Sequence, residues 1–496
     1  LDELNFESTS ATSNDLSQIK VIASSAFSDV KNLTDGKTET SWASDKKVKQ
    51  EVILDLNGRK EFGGLKIIWG EKDFAKKFSV SISNDGKIWE KVYSAEKDNS
   101  NKSYIRLPEY ETAYIKLSIE KSSRKKGFAI KELVMLSGEY SADPNRFIIN
   151  IAKDYPRGYF PRYFNEEKSY WNVIGVNSDV KEALINEEGM VEVDKSNFSL
   201  EPFLYVDGKL ITWNDQKTLQ SLENNYLPIP KVKWLGNIQL EVKAFANGEA
   251  NKSSVLYLSY TLKNVSKEEK AGSLYLALRP FQVNPYYQWL NITGGVAKVK
   301  SVKIAKNKIL VNNEKVVIPI SKPDGIGAAS FDDGDAINFV SRDQLPPRKD
   351  VKDNTGFASA AIKYSFSLKL QEEKTFYVAV PFYNEPKALK KANAQFVQKK
   401  FEETKNFWKD KVTHIKFNLP SSADKIVNTI RTNLANILIN RDKFGIQPGS
   451  RSYERSWIRD GALTSSALLK NGIVKEVREF ADWYAANQFD NGKIPC

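Results

Sequence analysis

Glu51-Val-Ile-Leu-Asp-Leu56, closed by Asn57-Gly58, is a short alternating run followed by a turn dipeptide. A half-buried strand leading into a tight connection needs that combination, because side chains alternate faces along a strand and Asn-Gly tolerates the positive φ of a hairpin turn. The pattern recurs in Leu65-Lys-Ile-Ile-Trp69, Phe78-Ser-Val-Ser-Ile82 and Tyr114-Ile-Lys-Leu-Ser-Ile119, with Asn84-Asp-Gly86 as a second turn signal. From about Ile19 the chain therefore reads as all-β, at a spacing that suits a β-sandwich. Residues 1–15 carry Ser8, Thr9, Ser10, Thr12, Ser13 and Asn14 without periodicity and read as a linker or tail.

The chain has 496 residues, enough for about three domains at roughly 100–200 residues each. Hydrophobic residues make up 41% and charged residues 27%, and no run of about 18 apolar residues occurs, so no membrane span is expected and a largely disordered chain is disfavoured. The net charge of +12 would suit an anionic partner, but the lysines are scattered rather than blocked. The stretch with Lys121, Arg124, Lys125 and Lys126 lacks base-stacking aromatics and reads as a solvated loop; no nucleic-acid partner is expected. Cys496 is the single cysteine, so no intrachain disulfide forms, and the single histidine, His414, excludes a multi-histidine metal site or a Cys–His catalytic pair. Leu1 in place of an initiator Met suggests a processed or fragmentary start, for which a removed secretion signal is one explanation.

Between residues 145 and 384 the reading stays β-rich, with runs at 253–262, 272–278, 308–320 and 375–381, and a region this long needs two packed sheets. The pattern changes after Pro386. Ala392, Phe396, Phe407 and Val412 are predicted to share one side of a long helix, and Ile426, Ile430, Leu434 and Ile437 one side of a second. After the loop from Phe444 to Trp457, a third helix is predicted over about 460–470, ending near Gly472. A fourth carries Val474, Val477, Ala481 and Tyr484 on one face, before Asp490-Asn-Gly492 breaks it. Asp332-Asp-Gly-Asp335 lacks the acidic ladder and terminal Glu of an EF-hand and reads as a turn.

The ordered set Asn32-Leu-Thr-Asp-Gly36, Thr40-Ser-Trp42, Asp55-Leu56, Ser83-Asn-Asp-Gly-Lys-Ile-Trp89 and Ile130-Lys-Glu-Leu133 resembles the discoidin family, also called coagulation-factor type C. The resemblance covers residues 16–140 and implies a jelly-roll β-sandwich of a kind that often binds sugars, through its loops. It also implies a structural calcium ion (Ca2+) held around Asp35, Thr40 and Glu132, although Lys37 stands where the family often has an acidic residue.

Tyr453-Glu-Arg-Ser-Trp-Ile-Arg-Asp-Gly461 crowds aromatic and charged residues into a loop that runs into a helix. Trp and Tyr offer flat faces to pyranose C–H groups, while Arg donates to and Asp accepts from paired hydroxyls. From spacing alone, a plainer reading competes: an Arg–Asp ion pair with Asp460 capping the helix.

The segment resembles the loop after the first barrel helix of glucoamylase-like glycoside hydrolases, a likeness that implies terminal-sugar contacts for Tyr453, Trp457, Arg459 and Asp460. Its context from Gln447 to Leu463, with Tyr159-Phe-Pro-Arg-Tyr163 and Arg279-Pro-Phe-Gln-Val-Asn-Pro285, is similar to multidomain bacterial proteins of that group. The layout implied is a discoidin-like module at 16–140, a β-supersandwich at 141–385, a helical linker at 386–422 and the first helices of an (α/α)6 barrel at 423–496. Such a barrel needs twelve helices, on the order of 250–350 residues, and only three fit after Ala423. The expectation is that the chain stops inside its catalytic domain and that the general acid and base fall on no residue here. The function implied is inverting hydrolysis at the non-reducing end of a poly- or oligosaccharide, in a secreted or periplasmic protein, cell-surface associated in one version. The alternative is a non-catalytic carbohydrate-binding or assembly component, with a protein partner covering exposed apolar faces at Leu463, Leu468 and Tyr484.

Overall fold

The computed structural model describes residues 19–495 except 27, 48, 97–100, 125 and 126. The expected tail at 1–15, Cys496, and Lys125 and Lys126 lie outside the described residues. Those described fall into two compact units, one up to Pro156 and one from Arg157 onward, with 332–334 belonging to the first.

The first unit is a β-sandwich built on a seven-stranded sheet in which Gln50–Trp69 and Lys102–Ser122 pair antiparallel almost end to end. Val52, Leu54 and Leu56 are fully buried and alternate with more exposed neighbours, as the opening run requires. Asn57-Gly58 is not the expected hairpin turn. It lies inside the strand, at φ of 53° and 119°, where the register against Lys102–Ser122 slips between Asp55 and Lys60. It is a bulge, and it bends a strand too long to stay in one layer. Asn84-Asp-Gly86 does reverse the chain between Ala75–Ser83 and Glu90–Glu96, with Gly86 at φ 69° and the Asp85 carboxylate accepting the N–H groups of Lys87 and Ile88 at 2.8 Å each.

This unit extends beyond the expected boundary at 140. Asp143 caps the helix Pro144–Ala152 by accepting the N–H groups of Asn145 and Arg146. Just past it, Asp154 takes bonds from Lys66 Nζ at 2.6 Å and Tyr104 Oη at 3.0 Å. Those bonds tie the helical segment to strands of the same sandwich.

The second unit holds an eight-stranded and a nine-stranded antiparallel sheet. Leu200, Leu274, Leu276 and Ile362 from the first and Leu240, Leu258, Leu262 and Val378 from the second make one continuous core, so the expected pair of packed sheets is present. Four longer helices follow, at Ala394–Val412, Asp424–Ile439, Ile458–Lys470 and Val474–Ala485.

The helices sit close to where they were predicted, but their inner faces are rotated. The first buries Val397, Phe401, Thr404, Trp408 and Val412 and leaves Phe407 about half exposed. The second buries Val427, Leu434, Ala435, Leu438 and Ile439, while Ile426 faces solvent. The third buries Gly461, Ser465 and Leu468 and turns Leu463 outward. On the fourth, Glu476, Phe480 and Tyr484 point in and Ala481 points out. Large apolar side chains gave the wrong stripe because small and polar residues occupy the close-packed line. A side chain at Gly461 would collide with the Phe480 ring. Glu476 is buried because Lys411 pairs with it. Leu468 and Tyr484, expected to be exposed, are covered within the unit, whereas Leu463 is 67% exposed.

Candidate functional site

The loop that carries Tyr453, Trp457, Arg459 and Asp460 is fixed from below by ion pairs. Arg451 is 1% exposed and adopts a left-handed φ of 62°, which turns its side chain under the loop. Its Nε donates to Glu192 Oε1 at 2.8 Å, Nη1 to Glu182 Oε1 at 2.8 Å, and Nη2 to the Glu182 carbonyl at 3.1 Å. Ser450 Oγ donates to the same Glu182 oxygen at 2.8 Å. One turn on, Glu454 Oε1 accepts from Lys195 Nζ at 2.6 Å, and that ammonium also lies 3.1 Å from Glu182 and 3.4 Å from Asp442.

The electrostatics of this cluster are those of charges removed from water. Burial pushes the Glu182 carboxyl up to about 7, against the pull of Arg451 and Lys195. Burial likewise raises Glu192 and Glu454, opposed chiefly by Arg451 and by Lys195 respectively. For Arg451, burial works against the charge, but Glu192 and Glu182 outweigh it and the guanidinium is held more firmly protonated than usual.

Above this base, Tyr453 ends a short 3-10 turn and is 54% exposed. Trp457, half-buried, is the N-cap residue of Ile458–Lys470 and makes no side-chain capping bond. Asp460 lies in the first turn of that helix and does not cap it. Its Oδ2 accepts from Arg459 Nη2 at 3.3 Å, with the Arg459 side chain 82% exposed. The ion-pair half of the plainer reading is present and the capping half is not. The structure joins Arg459 and Asp460 directly and sets Tyr453 and Trp457 on the same anchored loop. An exposed aromatic can stack on a sugar face, and a charged donor–acceptor pair can bond its hydroxyls. Arg451 and Glu454 escaped sequence reasoning because their partners, Glu182, Glu192 and Lys195, lie in strands and turns some 260 residues earlier. The available signal was the density of charge at 451–455, too high for a loop simply exposed to water.

In the first unit, Asp35, Thr40 and Glu132 form a second polar group. Asp35 Oδ1 accepts the Lys37 N–H at 2.9 Å and Oδ2 accepts the Thr40 hydroxyl at 2.8 Å, which holds the Asp35 carboxyl below its usual range, Thr40 contributing most. Glu132, on Ala129–Leu136, is 6% exposed, and its Oε2 has no hydrogen-bond partner among the described residues. Burial first, and the neighbouring Asp35 charge second, push its carboxyl up to about 7. Among the described residues no three His, Cys, Asp or Glu side chains are grouped so as to hold a metal; this group offers two carboxylates and a hydroxyl. An unpaired buried carboxylate oxygen beside another carboxylate fits a hard cation.

Residues 9–133 match the family model of the F5/8 type C domain. No curated protein matches the chain. Among solved structures, it is similar to chitosan-binding module 2, in complex with chitotriose, from a chitosanase/glucanase of Paenibacillus sp. IK-5, at 19% identity and a TM-score of 0.24, covering 25% of this chain and 99% of that one. A Clostridium perfringens module in complex with GalNAc-β-1,3-galactose is 22% identical with a TM-score of 0.23, covering 25% of this chain and 98% of that one. A Ruminococcus gnavus fucosidase mutant in complex with fucose is also 22% identical, with a TM-score of 0.22, covering 25% of this chain and 26% of that one.

Proposed function

We propose that the chain is a carbohydrate-directed protein in which Tyr453, Trp457, Arg459 and Asp460 contact the terminal sugar of a poly- or oligosaccharide. The observation that carries the reading is that one segment, anchored by fully buried charges, carries both an exposed aromatic, Tyr453, and the Arg459–Asp460 donor–acceptor couple. The F5/8 type C match supports it, since that family often binds sugars, and in this proposal the first unit is a second point of glycan attachment.

Within this proposal, the sugar group serves a glycoside hydrolase of the (α/α)6 type acting from the non-reducing end in a secreted or periplasmic setting. Inverting hydrolysis needs two carboxylates about 6.5–9.5 Å apart, one protonating the leaving oxygen and one activating water; we assign neither role to a residue of this chain. A non-catalytic binding or assembly role is favoured by a different observation: Ile426, Leu463 and Val474 on the helices are more than half exposed, and a protein partner that covered them would remove apolar surface from water. We further propose that Asp35, Thr40 and Glu132 hold a structural Ca2+, which would supply the positive charge that Glu132 lacks.

The test is binding of the full chain and its Asp460→Ala variant to soluble glycans. Loss of a charged hydrogen bond of about 1.5–3 kcal/mol should weaken affinity at this site roughly 10- to 150-fold. A folded variant whose 450–460 segment is protected from hydrogen exchange at the same glycan concentration as the parent's, a readout that binding by the first unit does not mask, refutes the assignment.

A further inference from the structure

Glu192 is fully buried and uses its two carboxylate oxygens in different directions. Oε1 accepts from Arg451, the anchor of the Tyr453 loop, at 2.8 Å. Oε2 accepts the backbone N–H groups of Val283 and Asn284, at 2.8 and 3.0 Å. Those two residues open another loop, 285–294, which is closed by its own bonds: Asn284 Nδ2 to the Ile292 carbonyl at 3.2 Å, Gln282 Nε2 to the Thr293 carbonyl at 3.0 Å, and Gly295 N–H to the Asn284 carbonyl at 2.7 Å. Asn291 then reaches across, its side-chain amide donating to the Ser452 carbonyl at 2.8 Å, next to Tyr453. One carboxylate and one amide thus hold the two loops in register.

What the second loop holds at its tip is unusual for a segment so firmly tied. Trp289 is 69% exposed and Tyr287 41%, the Tyr287 hydroxyl accepting the Ser169 N–H at 3.2 Å. Leaving an indole in water forgoes the gain of burying a large apolar surface, and a loop with this many internal bonds cannot fold it away. Rigid, outward aromatic faces beside hydrogen-bonding groups suit the alternating C–H and O–H surfaces of sugars.

We propose that loop 285–294 is the second wall of the carbohydrate site, with Trp289 and Tyr287 stacking on sugar units beyond the one held at Tyr453 and Asp460. The ligand class is a pyranose oligosaccharide long enough to touch both loops. Glu192 and Asn291 are positioning residues that fix the spacing between the walls. This inference rests on the sugar-binding reading of the Tyr453 loop.

Hydrogen–deuterium exchange of the full chain, with and without chitohexaose, maltohexaose or cellohexaose, tests it locally, so that binding by the first unit does not mask the result. Protection of 450–460 and 285–294 by the same hexasaccharide is expected. Trp289→Ala, at a site 69% exposed where the melting temperature should hold, should weaken hexasaccharide binding roughly three- to tenfold and abolish protection of 285–294, while the corresponding monosaccharide, which reaches only the first site, binds unchanged. Asn291→Ala should reduce hexasaccharide binding by a smaller factor with the melting temperature held. Protection of 450–460 alone, or an unaltered hexasaccharide affinity in Trp289→Ala, overturns the second wall and leaves the first site standing. Protection of neither segment by any of the three refutes the underlying reading and the inference with it.

Discussion

Glu132 in the first unit and Glu192 in the second are both buried carboxylates, and they differ in what satisfies them. Glu192 has a guanidinium on one oxygen and two backbone N–H groups on the other. Glu132 has an unpartnered oxygen among the described residues, a neighbouring carboxylate, and a carboxyl pushed up to about 7. Where the chain itself supplies the cation, the buried acid becomes a fixed part of the scaffold. Where it does not, the acid either keeps its proton or takes an ion from solution.

The sharpest way to break that contrast is to remove the built-in cation. Arg451→Met leaves Glu192 buried without its counter-charge and Glu182 with Lys195 alone, a change that costs about 3–5 kcal/mol in comparable buried pairs. The melting transition of the second unit, followed by calorimetry on the full chain, should fall accordingly. Adding Glu192→Gln should recover part of the loss, because the orphaned charge is then gone. An unchanged transition would mean that the cluster is not a structural anchor.

The first unit should respond to an added cation instead. In metal-free protein, the raised Glu132 carboxyl favours the folded state most below the unfolded-state value, about 4.3. That contribution is lost as pH rises toward about 7. Calcium favours the ionised form, so its stabilising effect should be small at pH 5 and large at pH 8. At a hundred times its dissociation constant it would reach about 2.7 kcal/mol. Chelator dialysis and remelting at the two pH values measure this; Glu132→Gln should remove the calcium response. Equal melting with and without the ion at pH 8 discards the metal.

A third test concerns the helix that follows the Tyr453 loop. Gly461→Ala places a methyl group against Phe480, and overpacking of this sort costs about 1–3 kcal/mol. Phe480→Leu added to it should relieve part of the strain, which a thermal melt of the double variant reads directly. A Gly461→Ala protein as stable as the parent would show that the helix can shift to admit the methyl, and that the loop before it is not rigidly seated.

The same contrast explains what could be read from the sequence. Local rules served where structure is local: alternation put Val52, Leu54 and Leu56 inside, and Asn84-Asp-Gly86 made a turn. Asn57-Gly58 carried the same chemical signal and became a bulge, because the positive φ that suits a hairpin also suits an extra residue in a strand, and only the partner strand's register distinguishes them. The helix stripes misled because hydrophobicity marks what prefers burial, while close approach at Gly461 and the Lys411–Glu476 pair decided what was buried. Arg451 was hard to read as an anchor since the carboxylates it bonds, Glu182 and Glu192, lie some 260 residues earlier in the chain. Trp289 went unnoticed for the converse reason: a single indole signifies little until its loop is seen to be tied and its face exposed.

The smallest expected effect on stability gives the most discriminating test of the site. Arg459 and Asp460 form an exposed pair at 3.3 Å, a geometry worth roughly 0.2–1 kcal/mol in water, and neither side chain caps the helix. If the pair is only a surface ion pair, Arg459→Ala shifts the melting temperature by a degree or two and changes nothing else. If it is part of a sugar site, the same variant keeps its stability and loses affinity, because the guanidinium's bonds to hydroxyls and its orientation of the Asp460 carboxylate are both removed. Arg459→Lys sharpens the distinction: the charge remains, but the planar fork that donates to two acceptors does not. Affinity for the hexasaccharide that protects 450–460, measured alongside melting for both variants, should fall in Ala and stay partly reduced in Lys at nearly constant stability. Parallel, small losses of stability with affinity intact would return Arg459 and Asp460 to the surface as an ordinary ion pair.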